Sequence, residues 1–190
     1  LFGSQGSGSS TLLDLLHGLR VPTAGHIALD GLDLRSWRLE ALRAQVTLLR
    51  TSDIMNGSVA ENVRLGRLDI STFDVNHALK QAGLAQDILE LPEGVNTVLV
   101  TGGLPLSSRQ RIRLLIARAL VTRPRLLLID EVLDGLDEAT LVELCGLLFN
   151  PARPWTVLIS TRSTTVLGQC QRMIDLDAPE CHPAPAPAST

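Results

Sequence analysis

Residues Leu1–Leu16 read LFGSQGSGSSTLLDLL. Three glycines, Gly3, Gly6 and Gly8, precede leucines at helical spacing. A glycine-rich turn of this kind lets successive backbone N–H groups converge on one anion, and the helix that follows adds its positive N-terminus. Phosphate is the ligand such a loop suits. From Gly3 to Ser10 the stretch fits the phosphate-loop pattern G-x-x-x-x-G-K-[ST] at every fixed position but one: Ser9 stands where the lysine belongs. Ser10 falls where a hydroxyl coordinates magnesium in such loops. Taken alone, the stretch reads equally well as a glycine-rich turn without a ligand.

A second stretch carries more weight. In RLLLIDE, Leu126 to Ile129 read as a buried strand, with Asp130 and Glu131 emerging at its carboxyl end. Ligands of open α/β sheets bind beyond the carboxyl ends of the strands. An aspartate there can hold magnesium, and the adjacent glutamate can polarise an attacking water. The plainer alternative is a strand that ends and turns polar.

Composition narrows the function classes. The 190 residues are 45% hydrophobic and 19% charged, enough for one sizeable core and too apolar for disorder. The net charge of −3 gives no electrostatic reason to expect a nucleic-acid partner. Lys80 is the only lysine among 17 basic residues, so no neighbouring lysine can replace the one missing at Ser9. Cys145, Cys170 and Cys181 are too scattered for a zinc cluster or a disulfide framework and read as incidental thiols of a reducing compartment. No apolar run reaches the roughly 18 residues that span a bilayer.

The remaining texture alternates strands and helices. HIALDGLDL reads as a strand or hairpin turning at Asp30–Gly31, RLEALRAQ as a short helix and VTLLR as a buried strand. Helical patterns then dominate from Ser52 to Val121. TLVELCGLLF reads as an amphipathic helix, followed by WTVLIST and RMIDLD as further strands. This order predicts a mostly parallel sheet with an inserted helical region. The strand that should deliver the chain to Gly3 has only Leu1 and Phe2 to represent it, so N-terminal strands are expected upstream. The tail APECHPAPAPAST reads as an extended appendage.

Between the two charged motifs lies GLPLSSRQRIRLLIARALVTRPRLLLIDEVLDGLD, and this segment resembles the ATP-binding cassette family. Leu106-Ser107-Ser108-Arg109-Gln110 sits where that family carries its L-S-G-G-Q signature. Ala117-Arg118-Ala119-Leu120, the acidic strand and a D-loop-like LDGLD ending at Asp137 follow in the family's order. PTAGHIALDGLDLRSWRLEALRAQV, GSVAENVRLG and LPEGVNTVLV are similar to further segments, the last two of exporter type. The resemblance covers residues 1 to about 177. It implies a P-loop NTPase fold with a RecA-like core at 1–51 and 121–177, a helical signature subdomain at 52–120 and a flexible Pro/Ala tail at 178–190.

The same resemblance implies ATP and magnesium as cofactors, with Gly3, Ser4, Gln5, Gly6, Ser7, Gly8, Ser9, Ser10 and Thr11 around the phosphates. Ser10 and Asp130 would hold the metal, and Glu131 and the switch-position Arg162 would face the reacting phosphate. Arg50 at the Q-loop position, Ser107, Gln110 and Asp137 complete the set. The implied partners are a transmembrane domain and a second nucleotide-binding domain, with the assembly at the cytoplasmic face of the cell membrane.

Five positions in four motifs depart from the family. Ser9 replaces lysine, Arg50 replaces the Q-loop glutamine, Ser108 and Arg109 replace two signature glycines, and Arg162 replaces the switch histidine. A lysine against phosphate oxygens contributes about 4 kcal/mol per charge pair at an effective dielectric near 20. Its loss corresponds to a factor on the order of hundreds, whereas a serine hydroxyl returns about 1 kcal/mol. Three functions remain open: an ATP-binding subunit with impaired hydrolysis, an active ATPase in which Arg50 or Arg162 replaces the lost charge, and a nucleotide-free structural or regulatory module. Trp37 and Trp155 are expected to be packing residues. The arginines of RQRIRLLIAR are expected to form a solvated or subunit-facing side.

Overall fold

The computed structural model describes residues 1–51 and 54–178, together with the backbone of 181–183. The elements run in chain order as α1 (Ser9–Leu16), β1 (Ala28–Leu29), β2 (Leu32–Asp33), α2 (Leu39–Gln45) and β3 (Val46–Leu49), then β4 (Gly57–Ser58), α3 (Val59–Arg64), α4 (Thr72–Gln81), α5 (Ala85–Leu89), β5 (Val98–Leu99) and α6 (Ser108–Thr122). The last group is β6 (Leu126–Asp130), α7 (Glu138–Leu148), β7 (Thr156–Ser160), α8 (Thr164–Gln169), β8 (Arg172–Ile174) and β9 (Cys181–Pro183). Among the described residues no helix is long and apolar enough to cross a membrane.

The chain divides into two compact units. The first comprises Leu1–Leu48 and Pro124–Thr190, the second Leu49–Arg123. The proposed subdomain boundary at Ser52 and most of the 178–190 tail lie outside the described residues. At 181–183 the backbone forms β9, which pairs antiparallel with β8.

In the first unit the sheet runs in the order β3–β6–β7, with β6 and β7 parallel from Leu126↔Thr156 to Asp130↔Ser160. Leu127, Leu128 and Ile129 are fully buried, as expected of a strand covered on both faces. Leu1 and Phe2 extend the layer beyond β7. Thr161 N–H donates to the Leu1 carbonyl at 3.2 Å, Phe2 N–H to the Ile174 carbonyl at 3.1 Å, and Leu176 N–H to the Phe2 carbonyl at 3.0 Å. These two residues therefore lie between β7 and β8 and lead into Gly3.

Helix α1 covers this sheet. Its Leu13 joins Leu1, Leu42, Val46 and Leu128 in one buried cluster, against which the half-buried Trp37 packs. The helix stops at Leu16 because Gly18 takes a left-handed turn (φ 72°). A Cβ there would meet Leu39 Cδ1 at 2.9 Å. The predicted hairpin is β1–β2, reversed at Asp30 and Gly31, both with positive φ.

The second unit is helical around α6, apart from the antiparallel β4–β5 pair. Three of its helices begin with reciprocal caps: Ser58 with Glu61, Ser71 with Asp74, and Ser107 with Gln110. The arginines of α6 do not form one solvated or subunit-facing side: Arg109 is exposed and Arg111 half-buried, but two others turn inward. Arg113 and Arg118 are buried at 3% and 4% exposure because α3 and α4 pack along α6. Arg118 Nε donates to the Asn62 carbonyl at 2.7 Å and its Nη2 to Asn62 Oδ1 at 2.9 Å, while Arg113 Nη1 donates to the Ala82 carbonyl at 2.9 Å. Fully buried Asn62 in turn receives Met55 N–H at 3.0 Å and donates to the Met55 carbonyl at 2.9 Å. The spacing of these arginines in sequence, at 109, 111, 113 and 118, cannot distinguish this network from a charged surface.

Candidate functional site

The loop between Leu1–Phe2 and α1 is built by its glycines. Gly6 and Gly8 hold φ of 88° and 91°, and no atom lies where their Cβ would be. Only backbone therefore faces that space. Gly8 is the N-cap of α1 and supplies no side-chain cap, and the helix's first turn carries no acidic residue. The positive end of α1 opens toward the same side as the loop.

At the strand ends, β6 and β7 bring the charged groups to this loop. Ser10 Oγ donates to Asp130 Oδ1 at 3.0 Å, so the two residues named for a metal stand together across 120 positions of sequence. Beside them is a cleft of about 320 Å³, lined by residues 2–11 with Glu131, Ser160, Thr161 and Arg162. Hydroxyl and carboxylate oxygens at one point are a hard-cation donor set, and a backbone cradle at a helix N-terminus is a phosphate donor set. The residues present thus fit a magnesium-bound phosphate chain, with Ser9 adding no charge to it.

Glu131 adopts a left-handed conformation, φ 54°, while its N–H continues the strand ladder to the Ser160 carbonyl at 3.0 Å. Such a backbone costs on the order of 1–3 kcal/mol in a residue with a side chain, and it turns the carboxylate out of the sheet. Arg162 Nη2 lies 3.3 Å from Glu131 Oε1, an ion pair with both side chains about half exposed. The two residues named for catalysis therefore contact one another.

Other named residues lie elsewhere. Asp137 caps α7, accepting from Thr140 N–H at 3.0 Å and from the Thr140 hydroxyl at 2.7 Å, and it does not line the cleft. Arg50, Ser107 and Gln110 belong to the second unit. There Ser107 caps α6, and Gln110 Nε2 donates to Asp87 Oδ1 at 2.7 Å.

Sequence reasoning passed over two carboxylates. Asp177 accepts Ser4 N–H at 2.6 Å and the Ser4 hydroxyl at 2.9 Å, fastening the start of the glycine loop. Asp134 accepts from the Thr161 hydroxyl and from Arg162 N–H, the latter at 3.0 Å. The only available signal was proximity of Asp134 to Glu131 in EVLDGLD. Nothing local marked Asp177, which is 173 residues from its partner.

A mostly parallel sheet whose strand ends meet a glycine loop at a helix N-terminus defines a P-loop domain. The family model described as ABC transporter matches residues 1–134, and the chain belongs to that family. It is 38% identical over 141 residues to heavy metal tolerance factor 1 of Caenorhabditis elegans, covering 74% of this chain and 18% of that protein. With the alpha-hemolysin translocation ATP-binding protein HlyB of Escherichia coli O157:H7 it shares 35% identity over 178 residues, 93% of this chain and 25% of that protein. Among solved structures, a bacterial Atm1-family ABC exporter with ATP bound superposes with a TM-score of 0.85 at 30% identity, covering 93% of this chain and 31% of that one. The chain thus spans less than a third of the length of each of these relatives.

Proposed function

We propose that this chain is the ATP-binding domain of an exporter-type transporter, binding ATP with magnesium and hydrolysing it slowly. The observation that carries this reading is the 3.0 Å contact between Ser10 and Asp130 at the edge of the glycine-loop cleft. Ser10 and Asp130 would hold the magnesium, which neutralises phosphate charge when bound. The backbone from Gly3 to Thr11 would cradle the phosphates. Glu131 is the group able to orient a water, but Arg162 is paired with it and Ser9 brings no cation. Both features support slow turnover over fast.

The relatives support the wider setting. The domain would act with a transmembrane domain and a second nucleotide-binding domain at the cytoplasmic face of the membrane. Arg50 would add to the nucleotide contacts, and Ser107, Gln110 and Asp137 would contribute at the nucleotide shared with the second domain. Arg109 in place of a signature glycine adds bulk where close backbone approach is required, which weakens that contact.

Calorimetric titration of the chain with ATP and magnesium tests the reading. Binding that is lost in Asp130→Asn, with turnover further reduced in Glu131→Gln, is the expected result. No detectable binding would instead favour the second reading, a nucleotide-free interaction module, for which uncharged Ser9 and the occupied Glu131 carboxylate speak.

A further inference from the structure

Arg162 is the one cation among the described residues lining the cleft, and its placement does not depend on its own side chain. Thr161 is buried at 2% exposure, and its hydroxyl donates to one oxygen of Asp134. Arg162 N–H donates to the other oxygen at 3.0 Å. Ser163 N–H closes the turn on Thr161 Oγ1 at 3.1 Å. Asp134 is anchored in its turn, since its own N–H donates to the Glu131 carbonyl at 3.2 Å. One carboxylate therefore joins the loop after β6, which carries Glu131, to the loop after β7, which carries Arg162.

A nucleoside triphosphate differs from its diphosphate by one phosphoryl group and its negative charge. With Ser9 uncharged, Arg162 is the protein group in this cleft that can reward that extra charge, by exchanging its contact with Glu131 for one with the added phosphoryl group. The reward is larger for a guanidinium whose backbone is already fixed, because less freedom is lost on binding. A carboxylate suits the task because each of its two oxygens takes one donor, in charge-assisted bonds. Asparagine would keep one acceptor for the Arg162 N–H, but its N–H₂ group could meet the Thr161 hydroxyl only in a neutral bond with the hydroxyl turned round, so the charge assistance at both contacts is lost.

We propose that Asp134 is a positioning residue that fixes the Thr161–Arg162 backbone and thereby sets the preference of the cleft for a triphosphate over a diphosphate. This rests on the reading of the cleft as a nucleotide site. The test is calorimetric titration of the full chain with magnesium and ATP, and separately with magnesium and ADP. Asp134→Asn should weaken ATP binding about tenfold while leaving ADP binding unchanged. Arg162→Gln should produce the same selective loss, and the double variant no more than either single one, because both remove one coupled unit. Thr161→Val removes one of the two bonds to Asp134, along with the Ser163 contact, but keeps the bond from Arg162 N–H, and it should give a smaller loss of the same kind. It keeps the test available if Asp134→Asn does not fold. Equal weakening of ATP and ADP, or losses that add in the double variant, would overturn the role of Asp134 and leave the nucleotide site standing. A wild-type chain that binds neither nucleotide would remove the nucleotide reading and this inference together.

Discussion

Ser9 determines the charge of the cleft at the scale of a single residue. It is half-buried at the start of α1, so a lysine there would be partly screened by solvent and would recover less than the full charge-pair energy. Ser9→Lys should therefore raise affinity for ATP with magnesium by about ten- to a hundredfold. A titration showing no gain would mean that the loop does not meet phosphate. A second residue-level expectation concerns the thiols. Burial pushes Cys145 up to about 11, and it raises Cys170 as well. The thiolate is the reactive form, so at pH 8 Cys145 should label with iodoacetamide far more slowly than a free cysteine. Mass spectrometry after timed labelling gives the answer, and rapid modification of Cys145 in the folded chain would contradict its burial.

Between single residues and the whole lie the helices of the second unit and the contacts at their ends. Asn62 on α3 serves two elements, bonding the Met55 backbone on one side and Arg118 of α6 on the other. Asn62→Ala strands those groups, including a buried guanidinium contact, and should cost about 3 kcal/mol in urea unfolding. A loss below about 1 kcal/mol would place the network among ordinary surface bonds. The cap of α3 predicts a pH dependence. Hydrogen bonds from the Ser58 backbone and hydroxyl hold the Glu61 carboxyl below its ordinary value of 4.5. A depressed carboxylate stabilises the fold above its unfolded value, and this contribution disappears as pH falls through the folded value. The stability gap between the wild type and Glu61→Gln should therefore be present at neutral pH and close in acid. A gap independent of pH would show that the cap acts without its charge. The capping pairs carry a local signal, serine followed three residues later by a carboxylate or amide, which sequence reasoning did not use. The burial of Arg113 and Arg118 carries none, because it depends on which helices lie alongside α6.

For the first unit as a whole, the parallel arrangement of β6, β7 and the Leu1–Phe2 stub matters most. It brings the ends of three chain segments to one edge, and with them the loop of residues 3–8, the 130–134 turn and the 160–163 turn. A ligand bound there ties distant segments together and should stabilise the unit by mass action, about 2.7 kcal/mol at a hundred times the dissociation constant. The thermal midpoint should rise with ATP and magnesium. In Asp130→Asn, where binding is expected to be lost, the rise should vanish. A midpoint indifferent to nucleotide at high concentration would argue that the cleft is not a ligand site.

Spacing along the chain was enough to specify the glycine loop, the strand ending in Asp130 and Glu131, the missing lysine and the alternation of strands and helices. Each of these is a contiguous pattern in which residue type and interval state the chemistry. Folding decided the rest. The meeting of Ser10 with Asp130, the pairing of Arg162 with Glu131 and the fastening of two loops by Asp134 and Asp177 join segments far apart in sequence. Hydrogen-bond partners across such separations are selected by strand order and helix packing, and no local interval encodes them.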